Sequence, residues 1–242
     1  MSKNQAGDGF EYAEGNWKFS GPSLKNFTKH IRKSVPLYDE GHSITAKFSE
    51  NFVSDKSVCY ELGCSTGVLI SLLSDKHLNA HWVGIDIEQD MINQASKEVI
   101  NGKSLKDRNN LKLICEDITS YNFEPSPFIV SYLTIQFIDP KLRLGLIKKI
   151  YDSLLLGGAF VFFEKIKYLD LKIQNMNKEI YDEFKIKNGF SLAEIQAKEK
   201  SLKGNLIPFT KEENIDLAKE AGFSQIDLIS KWSFFEGYLC IK

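Results

Sequence analysis

The chain has few of the residues that form disulfides or bind metal ions, with four cysteines and four histidines among 242 residues. It also has only six prolines. No two cysteines form a C-x-x-C pair, which excludes the common zinc and redox motifs and predicts a reduced, intracellular protein. The histidines are scattered, so no metal site is expected, and a surface or capping role is predicted for each. These residues are Cys59, Cys64, Cys115, Cys240, His30, His42, His77 and His81.

The chain also lacks a charge imbalance and an apolar run of membrane length. Its 31 basic and 32 acidic side chains leave a formal net charge of −1, and neither end carries a basic arm. Direct binding of nucleic acid is therefore not expected, because that function needs a basic surface. No apolar stretch approaches the roughly 20 residues of a membrane span, so the sequence predicts no membrane partner and a cytoplasmic location.

The most informative stretch is a glycine loop between an apolar run and a helical pattern. The run Val58–Leu62 has the composition of a buried strand, and Glu61 stands near its end. Glycines lack a Cβ atom, so the backbone of such a loop can approach a nucleotide-like ligand closely. The spacing is acid-x-G-x-x-x-G rather than G-x-G-x-x-G, which favours a class I protein that binds S-adenosylmethionine (SAM). An ordinary glycine turn is the alternative. The loop residues are Gly63, Cys64, Ser65 and Gly67.

Acidic residues stand at the ends of three consecutive predicted strands. Glu61 follows the first apolar run, Asp86 the second and Asp117 the third. Because the carboxyl ends of parallel strands converge on one crevice, these acids are expected to share a site. Asp86 is placed to accept hydrogen bonds from a ribose, and Asp117 with the amide of Ile118 is placed to meet adenine. The ordered set predicts SAM as the cofactor.

Alternating strand and helix patterns predict an α/β protein. A helix is expected over 22–34, a break at Val35–Tyr38 and a second helix over 39–52. Strands are expected at 111–115 and 159–164, and a helix that begins with Asp139 and Pro140 is expected to stop at Gly157 and Gly158. Ser191 with Glu194, and Thr210 with Glu213, match capping boxes that open two later helices.

The expected fold is a Rossmann-like, doubly wound, mostly parallel seven-stranded sheet, the class I methyltransferase fold, and Trp17 and Phe19 are expected to anchor the N-terminal tail. The predicted segments are a tail and helical cap (1–50), a SAM-binding core (51–165), a helical insertion for the substrate or dimer region (166–208), and a C-terminal helix with two closing strands (209–242).

The chemistry of SAM sets what else the sequence must supply. Its sulfonium already carries a leaving group, so methyl transfer needs in-line positioning more than a nucleophilic side chain. No Ser/His/Asp or Cys/His set is visible, and the catalytic residues are left unassigned. Aromatic rings can stabilise a sulfonium by cation–π contacts, and Tyr38, Tyr132 and Phe137 are candidates. Core packing is the other interpretation of Phe137.

Motifs along nearly the whole chain resemble the carboxy-SAM synthase family, a branch of the class I methyltransferases involved in wobble-uridine modification of tRNA. The matching stretches are 16–19, 32–38, 62–67, 134–140, 164–165, 181–185, 188–191 and 194–195. The resemblance implies a homodimer that uses the helices of 166–208 as its contact. It also implies cofactor contacts at Tyr38, Gly63, Cys64, Ser65, Asp86, Ile87, Asp117 and Ile118.

Two positions depart from the family pattern. The family has an asparagine at the cofactor-contacting position where this chain has Tyr132. It also has an arginine that reaches across the dimer to hold the extra carboxylate of carboxy-SAM, where alignment gives Lys200 or, less well, Glu199. A lysine keeps the charge but lacks the bidentate fork that fits a carboxylate. Tyr132, Gln136 and Lys200 are expected to face the acceptor substrate.

Three functions remain open at this point. The first interpretation is a SAM-dependent methyltransferase that acts on a small metabolite. The second is a carboxy-SAM synthase, in which prephenate donates its carboxylate to SAM and Lys200 stands in for the arginine. The third is a non-catalytic protein that binds SAM or associates with tRNA. SAM or carboxy-SAM is the expected cofactor.

Overall fold

The apolar runs of the sequence form one mixed sheet with helices packed on both faces. The computed structural model describes residues 6–10, 20–97, 99–100, 103–104 and 107–242. The strands are β1 (Val58–Leu62), β2 (His81–Asp86), β3 (Val99–Ile100), β4 (Lys103–Ser104), β5 (Leu111–Cys115), β6 (Ser126–Tyr132), β7 (Leu154–Lys165), β8 (Gln225–Trp232) and β9 (Phe235–Ile241). The helices are α1 (Phe27–Ser34), α2 (Tyr38–Ser49), α3 (Val68–Lys76), α4 (Gln89–Lys97), α5 (Pro140–Ser153), α6 (Leu171–Lys187), α7 (Leu192–Leu202) and α8 (Lys211–Ala221).

The chain winds outward from β1 in both directions, and this places a topological switch point beside that strand. The strand order is β5-β2-β1-β6-β7-β9-β8. The first five strands in this order pair in parallel, whereas β9 pairs antiparallel with β7 and with β8. Ligands of such sheets bind outside the carboxyl ends of the strands at the switch point. The predicted seven-stranded, mostly parallel Rossmann-like sheet is confirmed.

The central strands are apolar on both sides because each face of the sheet carries its own core. Helices α5 and α8 cover one face, where Ile150 and Phe223 are buried. Helices α2 and α3 cover the other face, where Ala46 and Leu73 are buried. Strand β6 is buried along its length up to Ser131.

Several element boundaries differ from the sequence expectation. Strand β7 begins at Leu154, not at the predicted Ala159, because Leu154 still pairs with Ser126 across a register shift. The predicted helix from Pro22 begins as a 3₁₀ turn over Pro22–Asn26 before α1. The short antiparallel pair of β3 and β4 was not predicted, because neither strand is longer than two residues.

The N-terminal cap is formed by α1 and α2. The break between them was predicted at Val35–Tyr38, and α2 begins one residue earlier than expected, at Tyr38. Leu37 has a left-handed backbone, with φ of 54°, and it directs the chain into α2. The hydroxyl of Tyr181 in α6 donates to the carbonyl of Ser34 at 2.7 Å, which binds the insertion to the cap. The proposed anchor residues Trp17 and Phe19 lie outside the described residues.

The helices after β7 begin with the caps that the sequence predicts. Ser191 accepts the amide of Glu194, and the Glu194 carboxylate accepts the amide of Ser191, so α7 opens with a capping box. Thr210 and Glu213 form the same pair at α8. The division of the chain into four segments stays a prediction. None of the helices in the described residues is both long and apolar enough to span a membrane.

Candidate active site

A cavity of about 740 Å³ lies over the carboxyl ends of the parallel strands. This volume is in the ~300–1,000 Å³ range of small-molecule sites. The ends of β5, β2, β1, β6 and β7 form its floor, and helices α1, α2 and α7 contribute to its walls. Neighbouring strands lie about 4.8 Å apart, so five strand ends in a row span roughly 19 Å. The cavity can therefore take a ligand that extends across several strands.

The glycine loop is held against β2 and has no room for a larger residue at its first glycine. The amide of Gly63 donates to the carbonyl of Ile85 at 2.7 Å. Gly63 has φ of 74°, and a Cβ atom there would collide with Thr134. Ser65 also has a left-handed backbone, with φ of 51°, and its amide donates to Asp86 at 2.8 Å. The loop thus presents Gly63 and Ser65 to the cavity in a fixed conformation.

The other two members of the predicted loop have different positions. Cys64 is buried and lines the cavity, as expected. Gly67 is not part of the cavity lining. It has φ of 79°, serves as the N-cap of α3, and donates its amide to the carbonyl of Cys64. Its left-handed turn starts α3, and its contact with the cofactor stays a prediction.

Glu61 is a buried acid with an unused acceptor in the cavity wall. It is 3% exposed, and its Oε2 has no hydrogen-bond partner among the described residues. Burial, followed by the nearby carboxylate of Asp86, raises the pKa of Glu61 well above its ordinary value. A cationic ligand group that donates a hydrogen bond would satisfy this oxygen and favour the ionised carboxylate.

Asp86 lies at the end of β2, where the sequence predicts the ribose contact. Its carboxylate accepts the amides of Ser65 and Glu88 at 2.8 and 2.9 Å. Burial raises the pKa of Asp86, and these amide hydrogen bonds oppose the rise. A carboxylate has about four acceptor positions, so two remain for ribose hydroxyls. Ile87, the next residue, is exposed and lines the cavity.

The adenine end of the predicted site follows β5. Asp117 accepts hydrogen bonds from the amide and the hydroxyl of Thr119, each at 2.8 Å, and this turn fixes its carboxylate. Ile118 is buried beside it, and both residues line the cavity. The structure thus brings the acids of three neighbouring strands to one cavity, as predicted.

An aromatic wall, formed by Tyr38, His42 and Tyr132, faces the end of β1. Tyr38 and His42 have ring centroids 4.2 Å apart, and Tyr132 lies 4.5 Å from His42. Tyr132 stacks on Phe163 and donates its hydroxyl to the carbonyl of Tyr38 at 3.3 Å. A Cβ atom at Gly41 would collide with the Tyr132 hydroxyl, so a tyrosine at position 132 requires glycine at position 41.

Gln136 lines the cavity, but its amide atoms hold the loop after β6. Its side-chain nitrogen donates to Leu133 at 3.1 Å, and its side-chain oxygen accepts the amide of Lys165 at 2.9 Å. The buried Glu164 accepts the amide of Gln136 at 2.8 Å. Burial raises the pKa of Glu164 to about 8, and Arg143 opposes the rise. The substrate-facing role of Gln136 stays a prediction.

Sequence reasoning assigned no site role to the four basic residues that line the cavity: His30, His42, Lys165 and Lys198. His30 and His42 are 1% and 4% exposed, so the expected surface or capping role is wrong for these two. Lys165 ends β7, whereas Lys198 comes from α7 and lies 168 positions from His30, with which it forms a hydrogen bond. No local pattern connects residues so far apart. Only the motif at 164–165 indicated one of them.

Lys200 and Glu199 do not line the cavity of their own subunit. Lys200 is exposed on α7. The Glu199 carboxylate accepts the ammonium of Lys178 at 2.9 Å. The helical period explains this placement, since Lys198 faces the cavity and residue 200 is turned about 200° away from it. The substrate-facing role of Lys200 therefore requires a second subunit.

Comparison with known proteins identifies the family. A family model described as a methyltransferase domain matches residues 60–158. A carboxy-S-adenosyl-L-methionine synthase of Staphylococcus epidermidis is 34% identical over 93% of this chain and 97% of its own length. One from Nautilia profundicola is also 34% identical, over 95% of this chain and 96% of its own length. The chain belongs to the carboxy-SAM synthase family. It is a SAM-dependent transferase.

Solved structures agree on the fold. The plantazolicin methyltransferase BpumL, solved with a triazolic desmethylPZN analogue and SAH, has a TM-score of 0.63 at 13% identity, covering 91% of this chain and 90% of its own. Human N-acetylserotonin methyltransferase in complex with SAM has a TM-score of 0.58 at 14% identity, covering 95% of this chain and 63% of its own. At these identities the match shows the class I methyltransferase fold alone.

The cavity residues fit SAM. The unpartnered oxygen of Glu61 suits the ammonium of the methionine part, and Asp86 keeps acceptors for a ribose. The rings of Tyr38 and Tyr132 provide faces for a sulfonium near the end of β1. These residues lie toward the β5, β2 and β1 side of the cavity. The β7 side of the cavity lies beyond them.

Proposed function

We propose that this chain synthesises carboxy-SAM from SAM and a small donor that gives up its carboxyl group and a hydroxide. A methyl C–H bond of SAM is replaced by a C–C bond to the donor's carboxyl carbon, and the methyl proton leaves with the expelled hydroxide as water. The extent of the family match carries this proposal. Relatives named carboxy-S-adenosyl-L-methionine synthase match 93% and 95% of this chain, so the match extends through α6 and α7 and beyond the SAM-binding core. The donor that the family resemblance implies is prephenate.

We assign the parts of SAM to the strand ends that line the cavity. Asp117 and Ile118 hold adenine, and Asp86 holds the ribose. Glu61 and the Gly63 loop hold the methionine part, which places the sulfonium at the aromatic wall. This order follows the sheet from β5 through β2 to β1.

SAM supplies a methyl group that its sulfonium activates. The residues of this chain bind both substrates, align them and exclude water. Holding two reactants in register can contribute about 7–11 kcal/mol to lowering a barrier, so such a site needs no nucleophilic side chain. The half-buried rings of Tyr38 and Tyr132 cover the sulfonium position and shield it from solvent.

Methyl transfer to a small metabolite is the second candidate. It is favoured by Tyr132, which stands where the family has asparagine, and by the exposed position of Lys200 at the place of the family arginine. In this alternative the enlarged ring at position 132 reshapes the acceptor pocket, and no residue is devoted to an extra carboxylate.

A direct assay separates the two candidates. The purified protein is incubated with SAM and prephenate, and the nucleoside products are identified by mass spectrometry. Formation of carboxy-SAM, together with a calorimetric preference for carboxy-SAM over SAM, is the expected result. A protein that forms no carboxy-SAM and binds SAM more tightly contradicts the proposal. Asp86→Ala, which removes the ribose acceptor, is the control that should lose both ligands.

We also propose a cytoplasmic homodimer. The apolar side chains of Ile173, Met176 and Ile180 are 45%, 53% and 49% exposed and recur on one face of α6, within the segment expected to form the contact. The free cysteines, of which Cys59, Cys64 and Cys240 are buried, suit a reducing compartment. The partner is a small molecule, and no direct contact with nucleic acid or membrane is proposed.

A further inference from the structure

Lys165 brings a positive charge to the β7 side of the cavity. It lies two strands beyond β1, roughly 10 Å along the row of strand ends. Its ammonium stands over the rings of Tyr181 and Phe234, 4.9 and 5.4 Å from their centroids. No carboxylate of the described residues lies within ion-pair distance of it. Burial, with Lys185 nearby, lowers the pKa of Lys165 to about 8.

Lys198 brings a second amino group to the same cavity. Its ammonium donates to Nε2 of His30 at 2.7 Å and to the hydroxyl of Ser34 at 3.1 Å. Burial, followed by Lys185 and Lys165, lowers the pKa of Lys198 to about 7. Burial lowers the pKa of both amines, and the charge of Lys185 lowers both further, so a carboxylate bound in this cavity would offset desolvation and repulsion at each of them.

A relay of hydrogen bonds holds Lys198 in place. Nδ1 of His30 lies 3.2 Å from Oδ2 of Asp8, in the N-terminal turn. Burial, followed by Lys198, lowers the pKa of His30 to about 3, so the ring is neutral at neutral pH. The neutral ring donates from Nδ1 to Asp8 and accepts from Lys198 at Nε2. Asp8 also pairs with Lys33 at 3.0 Å.

The neighbouring carboxylates are engaged elsewhere. Asp182 pairs with Lys178 at 2.6 Å and with Lys185 at 2.8 Å. Glu199 pairs with the same two lysines, at 2.9 and 3.6 Å. These four residues form a network of their own beside the cavity, which leaves Lys165 with aromatic neighbours.

We infer that Lys165 and Lys198 form a subsite for a carboxylate within a single subunit, and that Asp8 and His30 are positioning residues that hold Lys198 in it. This inference rests on the proposed function and assigns the carboxylate either to carboxy-SAM or to the donor. It differs from what the resemblance implies, because no residue has to reach across a dimer.

The subsite has a defined pH dependence. A bound carboxylate favours both ammonium forms, so binding takes up protons, and affinity falls as the pH rises through about 7 and 8, the pKa values of Lys198 and Lys165. Affinity for SAM changes less over this interval, because SAM lacks the extra carboxylate. The charged or titratable groups around Lys198 are Asp8, His30, Lys33, Lys165, Tyr181, Lys185, Glu194 and Glu199. Those around Lys165 are Lys178, Tyr181, Asp182, Lys185 and Glu199.

Calorimetry on four variants tests the subsite. The variants are Lys165→Met, Lys198→Met, Lys200→Met and, as a surface control on α6, Lys187→Met. Each is titrated with carboxy-SAM and with SAM, and, when saturated with S-adenosylhomocysteine, with prephenate. We expect Lys165→Met and Lys198→Met to lower the affinity for one of the two carboxylate ligands at least tenfold and the affinity for SAM about twofold or less. Lys187→Met should bind all three ligands as the wild type does.

The ligand that weakens identifies the source of the carboxylate. Loss of carboxy-SAM affinity assigns the subsite to the product, and loss of prephenate affinity assigns it to the donor. If Lys200→Met weakens carboxy-SAM while Lys198→Met does not, the site lies across the dimer and the inference fails. It also fails if neither lysine variant changes either affinity. A wild type that makes no carboxy-SAM but binds it through these lysines would refute the proposed function alone.

Asp8→Asn tests the positioning role without removing either lysine. The Asp8 carboxylate favours the charged form of Lys198, so its loss lowers that pKa further. The pH at which carboxylate affinity falls should therefore move downward, while the affinity measured at pH 6 changes little. An unchanged pH profile would show that Asp8 has only a structural role, even if Lys198→Met fails to fold.

Discussion

At the scale of single residues, the buried carboxylate of Glu61 lowers the stability of the ligand-free protein when it is ionised. In our proposal the same carboxylate binds the ammonium of SAM. Because burial raises the pKa of Glu61, the protonated form stabilises the folded state. The free energy of unfolding of the ligand-free protein therefore falls as the pH rises above the unfolded pKa of about 4.3. Glu61→Gln removes this dependence and should raise the melting temperature at pH 8 while leaving it nearly unchanged at pH 4.

Glu61→Gln should also lower the affinity of the protein for SAM. Losing a charge-assisted hydrogen bond of about 1.5–3 kcal/mol corresponds to roughly tenfold or more in Kd. Calorimetry measures the affinity and thermal unfolding measures the stability, with Glu179→Gln, on the exposed side of α6, as the control. A variant that is less stable at pH 8 and binds SAM normally would refute the role of Glu61.

Tyr132 has a packing role that the family asparagine could not fill. Its ring stacks on Phe163 at 4.6 Å and fills the space above Gly41. Tyr132→Asn should lower the free energy of unfolding by about 3 kcal/mol, as large-to-small core substitutions do. Tyr132→Phe keeps the ring, loses the hydrogen bond to Tyr38, and should cost about 1 kcal/mol. Urea unfolding measures the free energy of unfolding of both variants. If both lose the same amount, packing of the Tyr132 ring is not the main contribution to stability.

Sequence reasoning found the acids at the ends of three strands and missed the basic residues of the cavity, of which Lys165 ends β7 and the others lie on helices. Glu61, Asp86 and Asp117 were predictable because each follows an apolar run whose end the fold class places at one edge. Lys198 meets His30 across 168 positions, and Asp8 meets His30 across 22. Such contacts depend on how the insertion folds back over the cap, which no periodicity records.

At the scale of elements, the capping box of α7 should affect ligand binding as well as stability. Ser191→Ala removes the side-chain acceptor at the N-terminus of α7 and should cost about 1 kcal/mol. Thr210→Ala is the matched change at α8, which lines no part of the cavity in the described residues. Both variants should lose similar stability in urea unfolding, but only Ser191→Ala should weaken the carboxylate ligand, because α7 carries Lys198. Equal binding losses would contradict this.

Local patterns predicted the elements with strong end signals. Leu111–Cys115 was predicted with its observed bounds, and the proline after Asp139 correctly marked the start of α5. The end of α5 was misplaced, because Gly157 and Gly158 indicated a helix stop where the chain is already in β7. That strand extends backwards through pairing with β6, a tertiary interaction.

At the scale of the whole molecule, the sheet has one role in the proposed site, and the helices of the cap and insertion have another. Strands β5, β2 and β1 lead to the residues to which we assign SAM, and the class I fold is shared with many methyltransferases. The N-terminal turn, α1, the end of β7 and α7 bring Asp8, His30, Lys165 and Lys198 together at the far side of the cavity. The proposed adenosyl site thus follows from the fold, whereas the proposed specificity for a carboxylate follows from parts outside the common core.

The proposed dimer gives a test of this division. Ile173, Met176 and Ile180 form an exposed apolar stripe on α6, so Met176→Glu should place a charge in the contact and yield a monomer by size-exclusion chromatography with light scattering. Leu156→Glu, at a residue that is 93% exposed away from this helix, is the control that should remain dimeric. Because the lysine subsite lies within one subunit, the monomer should keep its affinity for the carboxylate ligand. A monomeric wild type would refute the dimer, and a monomer that loses only carboxylate affinity would place the anion-binding residue in the partner subunit.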